Sequence, residues 1–147
     1  MDDHLKLENQ LCFALYTGAR TIVRKYKPFL DPLGLTYTQY IALLVLWEQD
    51  GISVKDLGER LVLDSGTLTP LIKKLEKQGL LKRERVLNDE RFVSIKLTEA
   101  GRQLKEKAYH VPFQVAQCIH ITEKQAFELK LSLEHFIKND DLNKGNK

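Results

Sequence analysis

Between residues 80 and 97 the spacing of apolar residues drops from the helical 3.6 to 2, and this interruption in an otherwise helical chain restricts the fold more than any other feature. Leu80 to Val86 and Phe92 to Leu97 read as two short strands, with Val93, Ile95 and Leu97 alternating with Phe92, Ser94 and Lys96. The polar run Leu87-Asn88-Asp89-Glu90-Arg91 between them reads as a hairpin tip.

Helices flank this hairpin. The spacing predicts a first helix over residues 4–29, with Cys12, Leu15, Ala19, Ile22, Val23 and Tyr26 on one face. Pro28 is expected to disturb its end, and Asp31-Pro32-Leu33-Gly34 reads as a loop. Thr36-Tyr37-Thr38-Gln39 has the form of a capping box and opens a second helix. That helix carries Tyr40, Ile41, Leu43, Leu44 and Trp47, is apolar nearly all round, and is expected to be central. Ser53 caps a short third helix with Val54 and Leu57 inward. A turn at Leu63-Asp64-Ser65-Gly66 leads to a fourth, striped by Leu68, Leu71, Ile72 and Leu75 and ended by Gly79. After the hairpin, Thr98-Glu99-Ala100-Gly101 begins a fifth helix striped by Leu104, Ala108, Val111, Val115 and Cys118 and kinked at Pro112. Thr122-Glu123-Lys124-Gln125 opens a last one with Ala126, Leu129, Leu133, Phe136 and Ile137, and the polar tail from Asn139 is expected to fray.

Two short helices joined by a tight turn and followed by a hairpin describe a winged helix-turn-helix, here over residues 38–100 of a mainly α (α+β) chain. The outer helices, 1–37 and 101–140, carry apolar stripes that the small central module cannot cover. Pairing with a second copy would cover them, so these segments are expected to form a dimerisation domain of a homodimer. A chain of 147 residues, 43% of them hydrophobic, suits one domain with such extensions and excludes disorder as a class. The acidic start Met1-Asp2-Asp3-His4 does not look like a signal peptide, and the longest apolar run, Ile41 to Trp47, is far short of a membrane span. A cytoplasmic address and no membrane partner are expected. Two cysteines, Cys12 and Cys118, are too few for a disulfide scaffold and should rest as thiols there.

The net charge of +3 is too mild to decide a partner, but its distribution is informative. Residues 71–96 hold eight basic and four acidic side chains, a balance of +4 that exceeds the total. A basic run is by default a solvated face. Here it falls on the fourth helix and the hairpin, where a winged helix meets double-stranded DNA. Ser65, Thr67 and Thr69 supply hydroxyls able to reach bases or phosphates, Lys73 and Lys74 read as phosphate contacts, and Arg91 is positioned to enter an A·T-rich minor groove.

The segments Leu63-Asp64-Ser65-Gly66-Thr67-Leu68-Thr69-Pro70-Leu71, Asn88-Asp89-Glu90-Arg91 and Leu97-Thr98-Glu99-Ala100-Gly101 together resemble the MarR family of winged-helix regulators. Leu7-Glu8-Asn9-Gln10-Leu11-Cys12-Phe13-Ala14-Leu15-Tyr16 and Leu35-Thr36-Tyr37-Thr38-Gln39-Tyr40 resemble its organic hydroperoxide resistance branch, the OhrR-type repressors. The match covers roughly Leu5 to Gly101. The resemblance implies a homodimer on a palindromic operator, a fourth helix in the major groove, and Arg91 in the minor groove with Asp89 as its local partner. It also implies that Cys12 senses organic hydroperoxide, that Tyr26 and Tyr37 hydrogen-bond its thiolate, and that oxidation releases the repressor from DNA.

Chemistry fits that assignment. A free thiol titrates near roughly 8.5, and peroxide reacts with the thiolate, so a sensing cysteine needs donors that favour the anion. Cys12 and Tyr26 share a helix face but stand fourteen residues apart, about 21 Å along the axis, so such a pair would form between two chains whose first helices run antiparallel. By default a cysteine on an apolar stripe is inert packing. Cys118 stays open between a resolving cysteine that condenses with the Cys12 sulfenic acid and a buried core thiol. Tyr16 and Tyr109 read as core aromatics. His110 and His120 make no metal-ligand pattern with either cysteine, so neither metal nor cofactor is expected. A repressor of the same fold that answers small aromatic ligands, with passive cysteines, is the alternative. A thiol peroxidase is the enzymatic one; without a Cys-x-x-Cys motif, phosphate loop or triad, no catalytic residues are assigned.

Overall fold

The computed structural model describes residues 3–86 and 89–144, with the side chains of 89–91 and 142–144 outside the description. Within these limits the chain divides into two compact units, Met1–Val115 and Ala116–Lys147.

The first unit opens with two 3-10 turns, Asp3–Leu5 and Leu7–Asn9, and the α-helix α1 (Leu11–Leu30) starts later than expected. Gln10 accounts for the delay: it sits in extended backbone, and its side-chain amide donates to the carbonyls of His4 and Lys6, closing the chain before the helix begins. Pro28 lies inside α1 without ending it. A 3-10 turn, Asp31–Leu33, follows and closes on Gly34 at φ +69°, a left-handed conformation that glycine adopts without steric cost.

Helix α2 (Tyr37–Glu48) begins at the expected capping box: Thr36 Oγ1 accepts from Gln39 N, and Gln39 Oε1 accepts from Thr36 N. It is the central helix, burying Gln39, Tyr40, Ala42, Leu43, Val45 and Leu46. Two residues, Ile52–Ser53, form β1, a strand too short for the sequence pattern to show. Ser53 then caps α3 (Val54–Leu61) as expected, accepting from Asp56 N. The turn passes through Val62 at φ +54°, and Asp64 caps α4 (Ser65–Lys77), whose buried stripe is Leu68, Leu71, Ile72 and Leu75.

Strands β2 (Leu81–Val86) and β3 (Asp89–Leu97) pair antiparallel, and β1 adds to the far side of β3, giving the order β1-β3-β2. The register sets Ile95 opposite both Ile52 and Arg83, with an irregularity at Arg85/Val86. β3 begins at Asp89, three residues before the expected Phe92. Helix α5 (Glu99–Ala108) is capped by Thr98. Its Gly101 packs so closely on the chain before β2 that a Cβ would overlap the Leu80 carbonyl oxygen. What the sequence suggests as one kinked helix is two: α5 ends at Ala108, and α6 (Val111–Gln117) restarts with Pro112 in its first turn, where a missing N–H costs nothing. The predicted stripe still holds, since Leu104, Ala108, Val111 and Val115 are all buried.

The second unit contains the end of α6 and helix α7 (Glu123–Lys144), opened by the expected Thr122–Gln125 capping box. The helix runs on past Asn139, where fraying was expected. Among the described residues no single helix is long and apolar enough to cross a membrane.

Candidate nucleic-acid interface and cysteine site

Helix α4 separates its residues by chemistry. The apolar stripe faces the core, and Ser65, Thr67, Thr69, Lys73 and Lys74 are all exposed on the remaining arc. Ser65, Thr69 and Lys73 follow at four-residue intervals, and Thr67 and Lys74 lie seven apart, so each set stacks along one helical face. Asp64 Oδ1 accepts from Thr67 N at 2.8 Å and fixes where the first turn starts. This leaves a rigid rod presenting hydroxyls at its amino-terminal end and ammonium groups farther along, the layout expected from the sequence.

Part of the local positive charge is spent inside the molecule. Arg83 on β2 donates through Nε and Nη2 to Glu76 Oε2 at 3.1 and 2.9 Å, which holds the Glu76 carboxyl below its usual range and ties the sheet to α4. Lys82 and Lys96 both reach Glu84, at 2.7 Å each, and their hydrogen bonds lower its pKa to about 2. Lys73 and Lys74 form no ion pair with any described residue and remain available to an external anion. Asp89 and Arg91 are backbone members of β3, Arg91 lying within the strand and not at a loop tip; their side chains lie outside the described residues.

The aromatic cluster was only partly foreseen. Tyr26 of α1 packs on Tyr37 and Tyr40 of α2, with ring centroids 4.9 and 5.7 Å away, and Tyr40 reaches Trp47 at 6.4 Å. The structure thus brings together the two tyrosines singled out by the resemblance and adds a third. Burial raises the pKa of all three, that of Tyr40 to about 12, so each hydroxyl keeps its proton and is fit to donate.

Cys12 lies in the first turn of α1 and is exposed. Along the helix it is about 21 Å from Tyr26, so one chain does not bring the thiol to its expected donors. The amino-terminal half of α1 is open around it: Leu11, Phe13 and Tyr16 are 71, 41 and 58% exposed. Tyr16, expected in the core, instead lies at the surface under the Arg20 guanidinium, and Tyr109 is also exposed. Cys118 sits one residue past α6 in the second unit, half-buried and free, and not on a continuous helical stripe.

A cavity of about 280 Å³ opens between α2 and the α5–α6 turn, lined among others by Tyr40, Leu44, Trp47, Lys105, Ala108 and Tyr109. Among the described residues no group of three or more His, Cys, Asp or Glu gathers at a point that could hold a metal ion.

The model of the transcriptional regulator SarA/Rot family matches residues 24–108, from late α1 to the end of α5. It takes in the whole helix-turn-helix and sheet but neither cysteine. The organic hydroperoxide resistance transcriptional regulator of Bacillus subtilis (strain 168) is 58% identical over 110 residues, 75% of each chain. Two solved structures of AbfR, one reduced and bound to DNA and one with a disulfide formed, are 38% identical and cover 92% of this chain and 96 and 95% of theirs, with TM-scores of 0.73 and 0.64. A MarR transcriptional regulator from Methanosarcina mazei Go1, 26% identical, covers 86% of this chain and 93% of its own with a TM-score of 0.73. A structure matching over nearly the whole length of a DNA-bound regulator, and a sequence matching across the helix-turn-helix, place this chain in the SarA/Rot family of transcriptional regulators, within the MarR-type winged-helix DNA-binding proteins.

Proposed function

We propose that this protein is a cytoplasmic, homodimeric repressor that binds a palindromic operator while Cys12 is reduced and leaves it when an organic hydroperoxide oxidises that residue. The observation that carries the reading is the separation, along α1, of an exposed Cys12 from Tyr26, which packs with Tyr37 of α2 at the other end of that helix. Antiparallel pairing of two α1 helices brings Cys12 of one chain to Tyr26 and Tyr37 of the other and covers the apolar residues around the thiol. The names of the relatives, a hydroperoxide resistance regulator and a regulator solved both reduced on DNA and as a disulfide, support the same chemistry.

Two tyrosine hydroxyls donate to the Cys12 sulfur and favour the thiolate. The sulfur attacks the terminal oxygen of the hydroperoxide, the O–O bond breaks, and the alkoxide leaves and takes a proton as an alcohol. Cys12 is then a sulfenic acid. Across the dimer, the Cys118 thiolate attacks that sulfur, forming the S–S bond and expelling hydroxide, which leaves as water. The cross-link shifts the spacing of the two recognition helices from the one-turn separation, about 34 Å, that successive major grooves require. In each subunit, residues 38–100 would serve as the DNA-binding region and 1–37 with 101–140 as the dimerisation helices. Helix α4 reads the major groove through Ser65, Thr67 and Thr69, Lys73 and Lys74 hold phosphates, and Arg91 with Asp89 meets the minor groove.

Operator-shift assays beside mass spectrometry of the treated protein test this reading. Cys12→Ser is expected to bind operator as tightly as the reduced wild type and to stay bound in organic hydroperoxide; peroxide-driven release of that variant removes the assignment. Cys118→Ser is expected to stop at the sulfenic acid or at a mixed disulfide with a small thiol. The aromatic-lined cavity beside Tyr40 and Trp47 favours a second reading, in which a small aromatic molecule relieves repression. It predicts release by ligand that Cys12→Ser leaves untouched.

A further inference from the structure

A pair of glutamine amides joins the sensor region to the recognition helix. Gln39 is a buried polar side chain, 5% exposed, in the first turn of α2. Its Oε1 is used locally, accepting from Thr36 N at 2.9 Å. Its Nε2 reaches out of the helix and donates to Gln78 Oε1 at 3.1 Å, across 39 residues of sequence. Gln78 is the carboxy-terminal cap of α4, and its own Nε2 donates to the Gly34 carbonyl at 2.9 Å. One amide therefore holds the start of α2, and the next holds both that amide and the loop between α1 and α2. The loop is bound in turn to α1, since Leu35 N donates to the Leu30 carbonyl at 3.2 Å.

The near end of this clip abuts the tyrosines. Tyr37 and Tyr40 flank Gln39 on the same helical turns, and Tyr26 of α1 packs on both. Any shift of α1 relative to α2 that follows a change at the tyrosine cluster must strain the Thr36–Gln39 turn or the Gly34 carbonyl, and both are hydrogen-bonded to the cap of α4. The far end of α4 carries Ser65 and Thr67, thirteen residues or about 20 Å away. A tilt of about 10° at the clipped end moves that far end by about 3 Å, enough to break hydrogen bonds to base edges.

We infer that the Gln39–Gln78–Gly34 hydrogen bonds are the link through which the state of the α1–α2 tyrosine cluster sets the tilt of the recognition helix. In this inference Gln39 and Gln78 are positioning residues that act through the placement of α4. The inference deepens the peroxide-sensing reading and rests on it. Gln78 has an exposed side chain, so Gln78→Ala removes the clip while leaving the Gln39–Thr36 capping bonds in place.

The test compares full-length wild type and Gln78→Ala in three measurements: thermal midpoint, rate of Cys12 oxidation by an organic hydroperoxide, and operator Kd before and after oxidation. The expected result is a midpoint lowered by no more than a few degrees, because Gln39 Nε2 loses its acceptor, with an unchanged oxidation rate and a reduced-state Kd within about threefold of wild type. The ratio of oxidised to reduced Kd is expected to fall by at least about fivefold, the lower end of typical coupling between sites. An undiminished ratio overturns the inference. So does a ratio that falls only together with a midpoint lowered beyond that and a weakened reduced-state Kd, which marks a merely structural role. Failure of the wild type itself to leave DNA on oxidation overturns the sensing reading and this inference with it, and is seen before any variant is compared.

Discussion

At the scale of single residues, the chain's chemistry is set by which groups keep their protons. Burial raises Tyr40 from an ordinary 10.0 to about 12, with Tyr26 and Tyr37 adding to the effect. A group whose folded pKa is raised contributes stability that is whole below the unfolded pKa and is lost as the pH climbs through the folded value. The protein is therefore expected to lose stability between about pH 10 and 12, and tyrosinate absorbance is expected to show a late step that Tyr40→Phe removes. A Tyr40 that ionises with solvent-exposed tyrosines contradicts this. The resemblance named Tyr26 and Tyr37, whose rings pack 4.9 Å apart between centroids, whereas Tyr40 was named only as an apolar position of α2. Gln39 was legible only as the last letter of a capping box. Its bond to Gln78 lies beyond any local pattern, because a single glutamine 39 positions away gives no periodic signal.

Among elements, the boundaries that were readable are those written in capping chemistry. Thr36, Ser53, Thr98 and Thr122 each accept from the backbone N–H three residues on, and each marks a helix start within a residue of expectation. The elements missed lack such marks. β1 has two residues and owes its existence to β3. The α5–α6 break at Tyr109–His110 leaves the buried stripe in phase, so hydrophobic spacing could not reveal it. The turn between α3 and α4 holds a local conflict, since Val62 is a β-branched residue at φ +54° and 67% exposed. That conformation crowds its side chain, whereas asparagine tolerates it. Val62→Asn is expected to raise the stability of the reduced protein by about 1 kcal/mol, measured by chemical denaturation; a loss would mean that the valine makes packing interactions that outweigh the strain.

For the molecule as a whole, charge placement matters more than net charge. Arg83, Lys82 and Lys96 are matched by Glu76 and Glu84, so these three are expected to contribute little to DNA affinity. Arg91→Ala is expected to weaken operator binding and to lower the slope of log affinity against log salt by about 1, whereas Lys82→Ala should change it less. Equal slopes for Arg91→Ala and wild type would exclude Arg91 from the interface. Helix α7 has a different consequence. It carries Phe127, Leu129, Leu131, Phe136 and Ile137, each at least 46% exposed. In the homodimer proposed above a second copy covers this arm, so an unmated subunit is expected to be the form that proteases and chaperones engage.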